Sequence, residues 1–374
     1  MTYGIFVSVE LKDYKNIVSS QLPSEEEIIA SWGDTVDNPI VTISCTTFNQ
    51  EAYIEDAIIS FLRQKTEFPY EILVHDDAST DKTKEIILRY ELLYPKIVKP
   101  LYQSVNQYSQ GKKPSLINLK RANGKYIALC EGDDFWVDSN KLSIQVNVLE
   151  RNMDIDLCFT EALCGKSFDD GIIFTRLNPI TDSRVSFENV LTADGGLMPT
   201  ASLMFRRSKT KLIEQVTEGN PPVVDYFLQV ATSFPNGAIF IPQVTCFYRV
   251  NSIGSWSVRS KHEGLDETFK NLVSYISCVV AFKDKLGLED DFDDLLNIKV
   301  LSRIDKAARK AFIMGSFCTF KRILKLRIGG YPNIKFQLIF LRGVSNSKFL
   351  FDMARFAYRI RRGLYILVIR RHSR

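Results

Sequence analysis

The chain has 374 residues, which is long for one domain and ordinary for a catalytic domain with an appendage. Its composition, 45% hydrophobic and 25% charged, is that of an ordinary globular protein, so a sizeable core is expected. The longest apolar runs, such as the six residues 364–369, are far shorter than the roughly 20 that a membrane-spanning helix needs. The composition therefore argues against an integral membrane protein.

Charge is distributed unevenly along the chain, although the net charge is only +4. Residues 301–374 contain 18 Lys and Arg against 2 Asp and Glu, which gives this segment a net charge of +16. Subtraction from the totals of 48 and 44 leaves 30 basic and 42 acidic residues in residues 1–300, a net charge of −12. An acidic body with a basic tail indicates two parts with different partners.

The cysteines and histidines indicate neither a disulfide framework nor a zinc site. The seven cysteines form no C-x-x-C pair, and most lie in apolar runs, as the buried thiols of a reduced, cytoplasmic protein do. The three histidines are far apart and lack zinc-ligand spacing. The first residues show no basic stretch followed by a long apolar one, so a secretory signal is not expected.

Apolar strands and helices are predicted to alternate from residue 39 onward. A short helix comes first, because Ser24 with Glu27 three residues later forms the pattern of a capping box. Strands follow at 39–49, 70–79, 97–103 and 125–134. Helices are predicted at 51–65, 81–95, before the fourth strand, at 141–152, near 223–233 and over most of 265–374. This alternation indicates βαβ units and a parallel sheet.

Polar side chains follow three of these strands at their carboxyl ends. The clusters are Thr46–Asn49, Asp76–Asp77 and Glu131–Asp134. Because ligands of such sheets bind beyond the carboxyl ends of the strands, the three clusters are expected to share one crevice. Carboxylates with the spacing of Glu131 and Asp133 suit Mg²⁺, and the Asp76/Asp77 pair can accept hydrogen bonds from a base or a sugar.

Each cluster also has a purely structural interpretation. Aspartates such as Asp76 could do no more than cap the following helix, and the acidic triplet could be solvated turn charge with Asp134 as a cap. Thr46, Thr47 and Asn49 could be ordinary turn residues. Asp225, at the start of an apolar helix, could only compensate the helix dipole.

Three stretches carry a family resemblance: ISCTTFNQEAYIEDAIISFLRQ, YEILVHDDASTDKT and GKYIALCEGDDFWVD. In this order they resemble the family 2 glycosyltransferases with the GT-A fold, and the similarity extends over 39–257. The resemblance implies an α/β, Rossmann-like GT-A fold, with a mostly parallel sheet flanked by helices and a basic, mainly helical C-terminal extension. The corresponding domains are an N-terminal extension at 1–38, the GT-A domain at 39–260 and the helical basic region at 261–374.

The resemblance also implies a nucleotide-diphosphate sugar donor, an inverting displacement, and Mn²⁺ or Mg²⁺ as the cofactor. Asp225 falls where the family keeps its general base, and Asp133 is the expected metal ligand, in a position that matches the family's D-x-D motif. The expected donor-binding residues are Thr46, Thr47, Phe48, Asn49, Asp76, Asp77, Glu131 and Arg249.

This sequence departs from the family pattern in three places. Glu131 stands where the family often has Asp. Asn251 follows Arg249 by two positions where a histidine is common, and it offers only a neutral amide. The Arg–Asn pair often found before the fourth strand is absent, and Lys112 or Lys113 is a candidate replacement for its charge.

The basic tail has two main interpretations. Residues 348–374 mix aromatic residues with clustered arginines at near-helical spacing, which is typical of an amphipathic segment on an anionic membrane surface. The same pattern also suits a helical subdomain with a basic solvated face. Nucleic acid is not expected as a partner, because the body is acidic and no nucleic-acid motif is present.

The sequence thus predicts a cytoplasmic sugar transferase, peripheral at the inner face of the plasma membrane, that builds a bacterial surface polysaccharide. Its acceptor is expected to be a saccharide or a lipid-linked saccharide; the bacterial and polysaccharide parts rest on family analogy. Two alternatives stay open: a sugar nucleotidyltransferase, and an inactive nucleotide-sugar-binding protein. The first strand is not followed by the Gly-rich phosphate loop that would favour a nucleotidyltransferase.

Overall fold

The computed structural model describes the parts of the chain that form the predicted sheet and most of the helical C-terminal region. The described residues are 21–33, 38–168, 171–173, 184–193, 196–253, 255, 263–324, 326, 348 and 351–352. Nearly all of the predicted amphipathic tail segment 348–374 lies outside them. The chain divides into two units, Met1–Lys261 and His262–Arg374.

In its described residues, the first unit contains a ten-stranded sheet with helices packed on it. The strands are β1 (Val41–Thr47), β2 (Tyr70–Asp76), β3 (Leu101–Tyr102), β4 (Tyr126–Leu129), β5 (Phe135–Trp136), β6 (Leu157–Gly165), β7 (Ile172–Ile173), β8 (Arg184–Val185), β9 (Met204–Arg206) and β10 (Ala238–Arg249). The helices are α1 (Glu25–Ala30), α2 (Ile54–Leu62), α3 (Thr83–Leu93), α4 (Pro114–Arg121), α5 (Lys141–Arg151), α6 (Phe187–Thr192), α7 (Thr210–Thr217) and α8 (Asp225–Ser233).

The sheet is parallel where the sequence predicted βαβ units and mixed beyond them. The strand order is β3-β2-β1-β4-β9-β6-β10-β5, with β7 beside β6 and β8 beside β10. Strands β3, β2, β1 and β4 are parallel, as are β6 and β10. Strand β9 is antiparallel to both of its neighbours, β4 and β6. The prediction of a mostly parallel sheet flanked by helices is confirmed.

Strands β1 and β2 are buried almost throughout, as strands of a parallel sheet covered by helices are. Every residue of β2 is buried, and Val41, Ile43 and Cys45 of β1 are fully inaccessible. Their buried polar side chains have partners where they face each other, since the Thr42 hydroxyl donates to Glu71 Oε1 at 2.7 Å. The capping box at the start of α1 is also confirmed, since Glu27 N donates to Ser24 Oγ at 3.2 Å and Ser24 N to Glu27 Oε2 at 2.7 Å.

The third predicted strand is shorter than expected. Only Leu101–Tyr102 pairs as a strand, although Val98 forms an isolated parallel bridge with Ile72. Pro100 lies between the two pairings, and a proline has no N–H to donate to a neighbouring strand. The pairing predicted for 97–103 is therefore interrupted.

The second unit is helical in its described part. Its helices are α9 (Leu265–Leu286), α10 (Asp293–Met314) and α11 (Phe317–Leu324). Helices α9 and α10 end at Gly287 and Gly315, which have φ of 62° and 80°, as left-handed helix ends require. Across the residues that the structure describes, no helix combines the length and the apolar character needed to cross a membrane.

Strand β9 is held in place by the buried side chain of Arg206. Its Nη1 donates to the Tyr126 hydroxyl of β4 at 3.0 Å, and its Nη2 to the Leu149 carbonyl of α5 at 2.6 Å. Its Nε donates to the carbonyl of Ile155 at 3.1 Å and lies 3.5 Å from Asp156 Oδ1. This guanidinium therefore links β9 to β4 and to the segment from α5 to β6. Strand β9 joins the two halves of the sheet, because it pairs with β4 on one side and with β6 on the other.

Replacement of Arg206 by Met is expected to destabilise the protein by roughly 3 kcal/mol, because it removes a buried guanidinium that donates to one hydroxyl and two carbonyls, although Asp156 keeps Lys209 at 2.9 Å. The measurement is the urea unfolding midpoint. Arg184→Met is the matched control, since Arg184 forms an exposed ion pair with Asp154 at 2.8 Å and such pairs contribute little. Equal midpoints for the two variants would contradict the role given to Arg206.

Candidate active site

The carboxyl ends of β1, β2 and β4 meet at one edge of the sheet. In the register of β1 and β2, Thr47 lies opposite Asp76. The chain continues beside β1 after β4 ends: Cys130 N donates to Ser44 O at 3.2 Å, and Gly132 N to Thr46 O at 3.0 Å. The acidic turn that follows β4 is thereby placed beside the turn that follows β1.

A cleft opens at this edge, and most of the predicted site residues line it. Those that do are Thr46, Thr47, Phe48, Asp77, Glu131, Asp133, Asp225 and Arg249. Asn49 and Asp76 are not among the lining residues. The single crevice expected from the three strand ends is therefore present, and it also receives Asp225 from the start of α8.

Asn49 and Asp76 hold the loops that follow β1 and β2. Asn49 has φ of 52°, and its Oδ1 accepts the N–H of Thr80 at 2.8 Å. Asp76 is buried, and its Oδ1 accepts the N–H of Ser79 at 3.1 Å. The Ser79 hydroxyl in turn accepts the N–H of Asn49 at 2.9 Å. Asp76 thus holds the loop after β2 and does not cap α3, since the Thr83 N–H at the start of α3 donates to Asp81 Oδ1 at 3.0 Å.

Asp77 organises the loop that brings Tyr108 to the cleft. Its two carboxylate oxygens accept the N–H groups of Gln107 at 2.7 Å and Tyr108 at 3.0 Å. The side chain of Asn106 donates to the carbonyl of Asp77 at 3.0 Å. His75 Nε2 lies 3.7 Å from Asp77 Oδ1, and burial lowers the pKa of His75, which keeps this imidazole neutral.

The acidic turn places three carboxylates together. One ligand atom from each of Glu131, Asp133 and Asp134 lies within 4.8 Å of the others. Gly132 allows this close packing, since a Cβ at that position would lie 2.5 Å from Gln50 Oε1 and 2.8 Å from the Thr47 side chain. The turn therefore packs directly against the end of β1.

Burial and mutual repulsion raise the pKa values of two of these carboxyl groups. The pKa of Asp134 lies well above its usual range because of burial, and then because of the charges of Asp133 and Glu131. The pKa of Glu131 is raised well above its usual range by burial, then by Asp225 and Asp133. A nearby cation would reverse both effects, because it favours the charged forms.

The residues of the turn fit a hard divalent cation. Oxygen ligands are what Mg²⁺ and Mn²⁺ prefer, and three carboxylates supply them here. Asp134 Oδ2 is buried and has no hydrogen-bond partner among the described residues. Asp133 is only 6% exposed, and one of its oxygens accepts the hydroxyl of Ser252. A buried carboxylate oxygen without a partner is costly, and a cation would satisfy it.

Arg249, the last residue of β10, holds the acidic turn in position. Its backbone N–H donates to Asp134 Oδ1 at 2.8 Å, and its Nη1 to the carbonyl of Asp133 at 2.9 Å. Its guanidinium forms an ion pair with Asp56 of α2 and lies over the rings of Tyr53 and Phe135, 5.0 and 4.8 Å from their centroids. Asp134 thus connects the turn to β10 instead of capping the helix that follows.

Asp225 is the first residue of α8, where the helix dipole favours a negative charge. Burial nevertheless raises the pKa of Asp225, and a hydrogen bond from the Thr200 hydroxyl opposes this effect. The influence of Asp225 on the pKa of Glu131 shows that the two carboxylates interact across the cleft. A carboxyl group in these surroundings can take up a proton at a higher pH than an exposed aspartate.

Several cleft residues were not predicted from the sequence. Gln50, Asn106, Tyr108 and Thr200 line the cleft, as does Lys113, which the sequence suggested only as a replacement charge. Lys112 is not among the lining residues of the cleft. These residues lie between the main strands and helices, where no periodic sequence pattern distinguishes a cleft residue from any other residue.

Known proteins resemble this chain in sequence. Residues 42–207 match the family model described as Glycosyl transferase family 2. An uncharacterized protein of Mycobacterium tuberculosis (strain H37Rv) is 33% identical over 217 residues, which cover 58% of this chain and 60% of that protein. The Escherichia coli UDP-Glc:alpha-D-GlcNAc-diphosphoundecaprenol beta-1,3-glucosyltransferase WfgD is 32% identical over 118 residues, or 31% of this chain and 44% of that protein. The chain thus spans less than two thirds of each relative.

Solved structures share the fold. Staphylococcus aureus TarS 1-349 in complex with UDP-GlcNAc superposes with a TM-score of 0.57 and 16% sequence identity, over 85% of this chain and 91% of that chain. The same protein in complex with UDP gives a TM-score of 0.55. At this identity the similarity shows the fold alone.

Proposed function

The chain contains a glycosyl transferase family 2 domain over residues 42–207, and from this premise we propose that it is an inverting, metal-dependent glycosyltransferase. The donor is a nucleotide-diphosphate sugar, and the acceptor is a saccharide or a lipid-linked saccharide. One observation carries the proposal: the half-buried carboxylate of Asp225 lines the same cleft as Glu131 and Asp133, two of a cluster of three carboxylates suited to a cation. A proton acceptor on one side and a diphosphate site on the other are what sugar transfer requires.

The nucleotide part of the donor is proposed to lie beside the ends of β1 and β2. Thr46, Thr47 and Phe48 form one side of this part of the cleft, and Asp77 with Tyr108 forms another. The Asp77 carboxylate already accepts two backbone N–H groups, so its main contribution is to hold the loop of Tyr108 in place. The UDP and UDP-GlcNAc complexes of TarS support a donor of this class.

Glu131, Asp133 and Asp134 are proposed to hold Mn²⁺ or Mg²⁺ next to the diphosphate. A divalent cation bound there supplies positive charge that stabilises the departing nucleoside diphosphate. Arg249 keeps the turn in position through its contacts with Asp133 and Asp134, and its own charge lines the cleft.

Asp225 is proposed to act as the general base. It accepts the proton of an acceptor hydroxyl while the oxygen bonds to the anomeric carbon, and the bond from that carbon to the diphosphate oxygen breaks. Attack from the side opposite the leaving group inverts the configuration. A raised pKa suits this role, because a base is most effective when its pKa approaches the working pH.

A role in bacterial surface polysaccharide synthesis is proposed by analogy. The full name of WfgD describes an enzyme that transfers glucose to a diphosphoundecaprenol-linked sugar. That name supports a lipid-linked acceptor for this chain, although the two proteins share only 118 aligned residues.

The activity is tested by incubation of the full-length protein with a panel of nucleotide sugars and Mn²⁺ or Mg²⁺, followed by product analysis. Release of a nucleoside diphosphate is expected; release of pyrophosphate would indicate a sugar nucleotidyltransferase. Asp225→Asn is expected to lower turnover at least about 100-fold and to leave donor binding intact, because it removes only the proton acceptor.

Asp154→Asn is the control for this substitution, because Asp154 is exposed and lies outside the cleft. Donor binding by calorimetry without release of any product, in the wild-type protein, would identify an inactive nucleotide-sugar-binding protein. Unchanged turnover of the Asp225→Asn variant would refute the assignment of the base.

The pH dependence of turnover tests the Thr200 contact. The Thr200 hydroxyl lowers the pKa of Asp225, so Thr200→Val should raise that pKa further. Turnover falls when Asp225 becomes protonated, and the acidic limb of the kcat/KM profile should therefore move to higher pH, by about one unit for one hydrogen bond. Thr200→Ser retains the hydroxyl and should retain the wild-type profile. A limb that does not move in the Val variant would contradict the contact.

The basic tail is proposed to attach the protein to anionic lipid, which would bring it to a lipid-linked acceptor. Arg361→Gln with Arg362→Gln should weaken sedimentation with phosphatidylglycerol vesicles about 30-fold, at roughly 1 kcal/mol per basic residue. Lys82→Gln with Lys96→Gln in the first unit is the matched control. Truncation at residue 300 is avoided because it would cut α10. Equal binding by both pairs would refute membrane attachment through the tail.

A further inference from the structure

A second groove runs along α4, next to the cleft. It is lined by residues of the loop before α4, of α4 itself, of β3, and of the end of α7 and the segment after it. The charged and apolar lining residues that face a ligand there include Leu101, Lys112, Lys113, Leu116, Lys120 and Arg121. The proposed mechanism assigns a role to none of them, although Lys113 also lines the cleft.

The groove adjoins the cleft at Lys113, which lines both. The cleft residues Pro114 and Ser115 are followed in sequence by Leu116 of the groove, and Asn220 of the groove comes two positions before the cleft residue Pro222. A ligand that extends from the cleft past Lys113 therefore enters the groove.

The groove is basic, although residues 1–300 carry a net charge of −12. Its lining contains three lysines and one arginine and no Asp or Glu. Lys112 Nζ donates to the neutral Gln107 side chain at 3.0 Å, and Lys120 Nζ lies 3.9 Å from Glu214 Oε1, an exposed and therefore weak pair. Arg121 donates to the Asn118 side chain at 3.0 Å and to the Lys99 carbonyl at 2.9 Å. A local excess of positive charge in an acidic body favours an anionic ligand.

Apolar side chains lie between these cations. Leu116 and Ile117 are half-buried on the exposed side of α4, one turn from Lys113 and one turn from Lys120. Leu101 of β3 is half-buried at the same groove. Residues three to four apart lie on one side of a helix, so the groove presents cation, apolar surface and cation in succession. This succession matches an anionic group attached to a hydrocarbon chain.

We propose that this groove binds the phosphate or diphosphate of an amphiphilic acceptor, with its hydrocarbon against Leu116 and Ile117. The inference rests on the proposed function, since it assumes an acceptor hydroxyl at Asp225. It assigns the lysines of α4 and its preceding loop to the acceptor, and the acidic turn after β4 to the donor. The phosphate group could equally belong to an ordinary membrane phospholipid, and the experiment separates the two sources.

The test is a lysine acetylation footprint of the full-length protein, with EDTA present to keep cations from the acidic turn. Farnesyl diphosphate is expected to slow acetylation of Lys112 and Lys120 at least threefold, as measured by mass spectrometry of each lysine. Inorganic pyrophosphate should need about a tenfold higher concentration for the same protection, because it buries no hydrocarbon. Lys82 and Lys96, which line neither site, serve as internal controls and should keep their rates.

Two variants separate the contributions of the phosphate and the hydrocarbon, and a vesicle experiment separates the acceptor from bulk lipid. Leu116→Asn should abolish the advantage of farnesyl diphosphate over pyrophosphate. Lys120→Gln should weaken the binding of both ligands without loss of donor hydrolysis.

Protection of Lys112 and Lys120 no greater than that of the control lysines would overturn the proposal. So would equal potency of pyrophosphate and farnesyl diphosphate, or stronger protection by phosphatidylglycerol vesicles, which would assign the groove to bulk lipid. Failure of the glycosyltransferase assignment would appear separately, as absence of donor hydrolysis in a protein whose groove lysines are still protected.

Discussion

The site depends on the repulsion among three carboxylates that a buried strand brings to one turn. Glu131, Asp133 and Asp134 hold ligand atoms within 4.8 Å of one another, and burial makes each negative charge costly. Their surroundings compensate only in part. The backbone N–H of Arg249 and the hydroxyl of Ser252 each donate to one carboxylate oxygen, while Asp134 Oδ2 has no partner among the described residues. Either protonation or a bound cation would relieve this repulsion, and the repulsion is the physical basis of the proposed metal site.

The contacts around the turn show how the fold sustains this crowding. Gly132 lets the turn pack against β1, and the Arg249 guanidinium is enclosed by Tyr53, Phe135 and Asp56. These contacts fix the guanidinium, and with it the turn. The turn is therefore preorganised for the proposed donor.

The secondary structure and the strand ends, which neighbouring residues determine, could be predicted from the sequence. The side-chain contacts between segments far apart in the chain could not. Apolar runs and helical spacing are properties of neighbouring residues, and they gave the βαβ units, the strand ends and the crevice. The roles of Asp76 and Asp77 differ because their hydrogen-bond partners differ: Asp76 accepts from Ser79, three residues away, and Asp77 from Gln107, thirty residues away. The sequence does not show which partner each aspartate has, so it could not separate their roles. No sequence pattern distinguishes two adjacent aspartates on that basis.

The same limit applies to the rest of the site. The contacts between Ser252 and Asp133, and between Arg249 and Asp56, join segments more than a hundred residues apart. The shortened third strand was open to prediction, since Pro100 stands within it and lacks an N–H. The identity of Asp225 as a cleft residue came from family resemblance, and its hydrogen bond with Thr200 depends on how the chain returns through β9.

The antiparallel insertion of β9 has a consequence for how the proposed site is assembled. The family match ends at residue 207, just after β9, and Asp225 lies beyond it. The residues proposed to hold the nucleotide and the cation precede β9, whereas the proposed base and Arg249 follow it. Strand β9 joins these two parts of the chain, and the side chain of Arg206 holds it in place. A shift of β9 would therefore change the distance between the proposed base and the acidic turn, although no residue of β9 is among those that line the cleft.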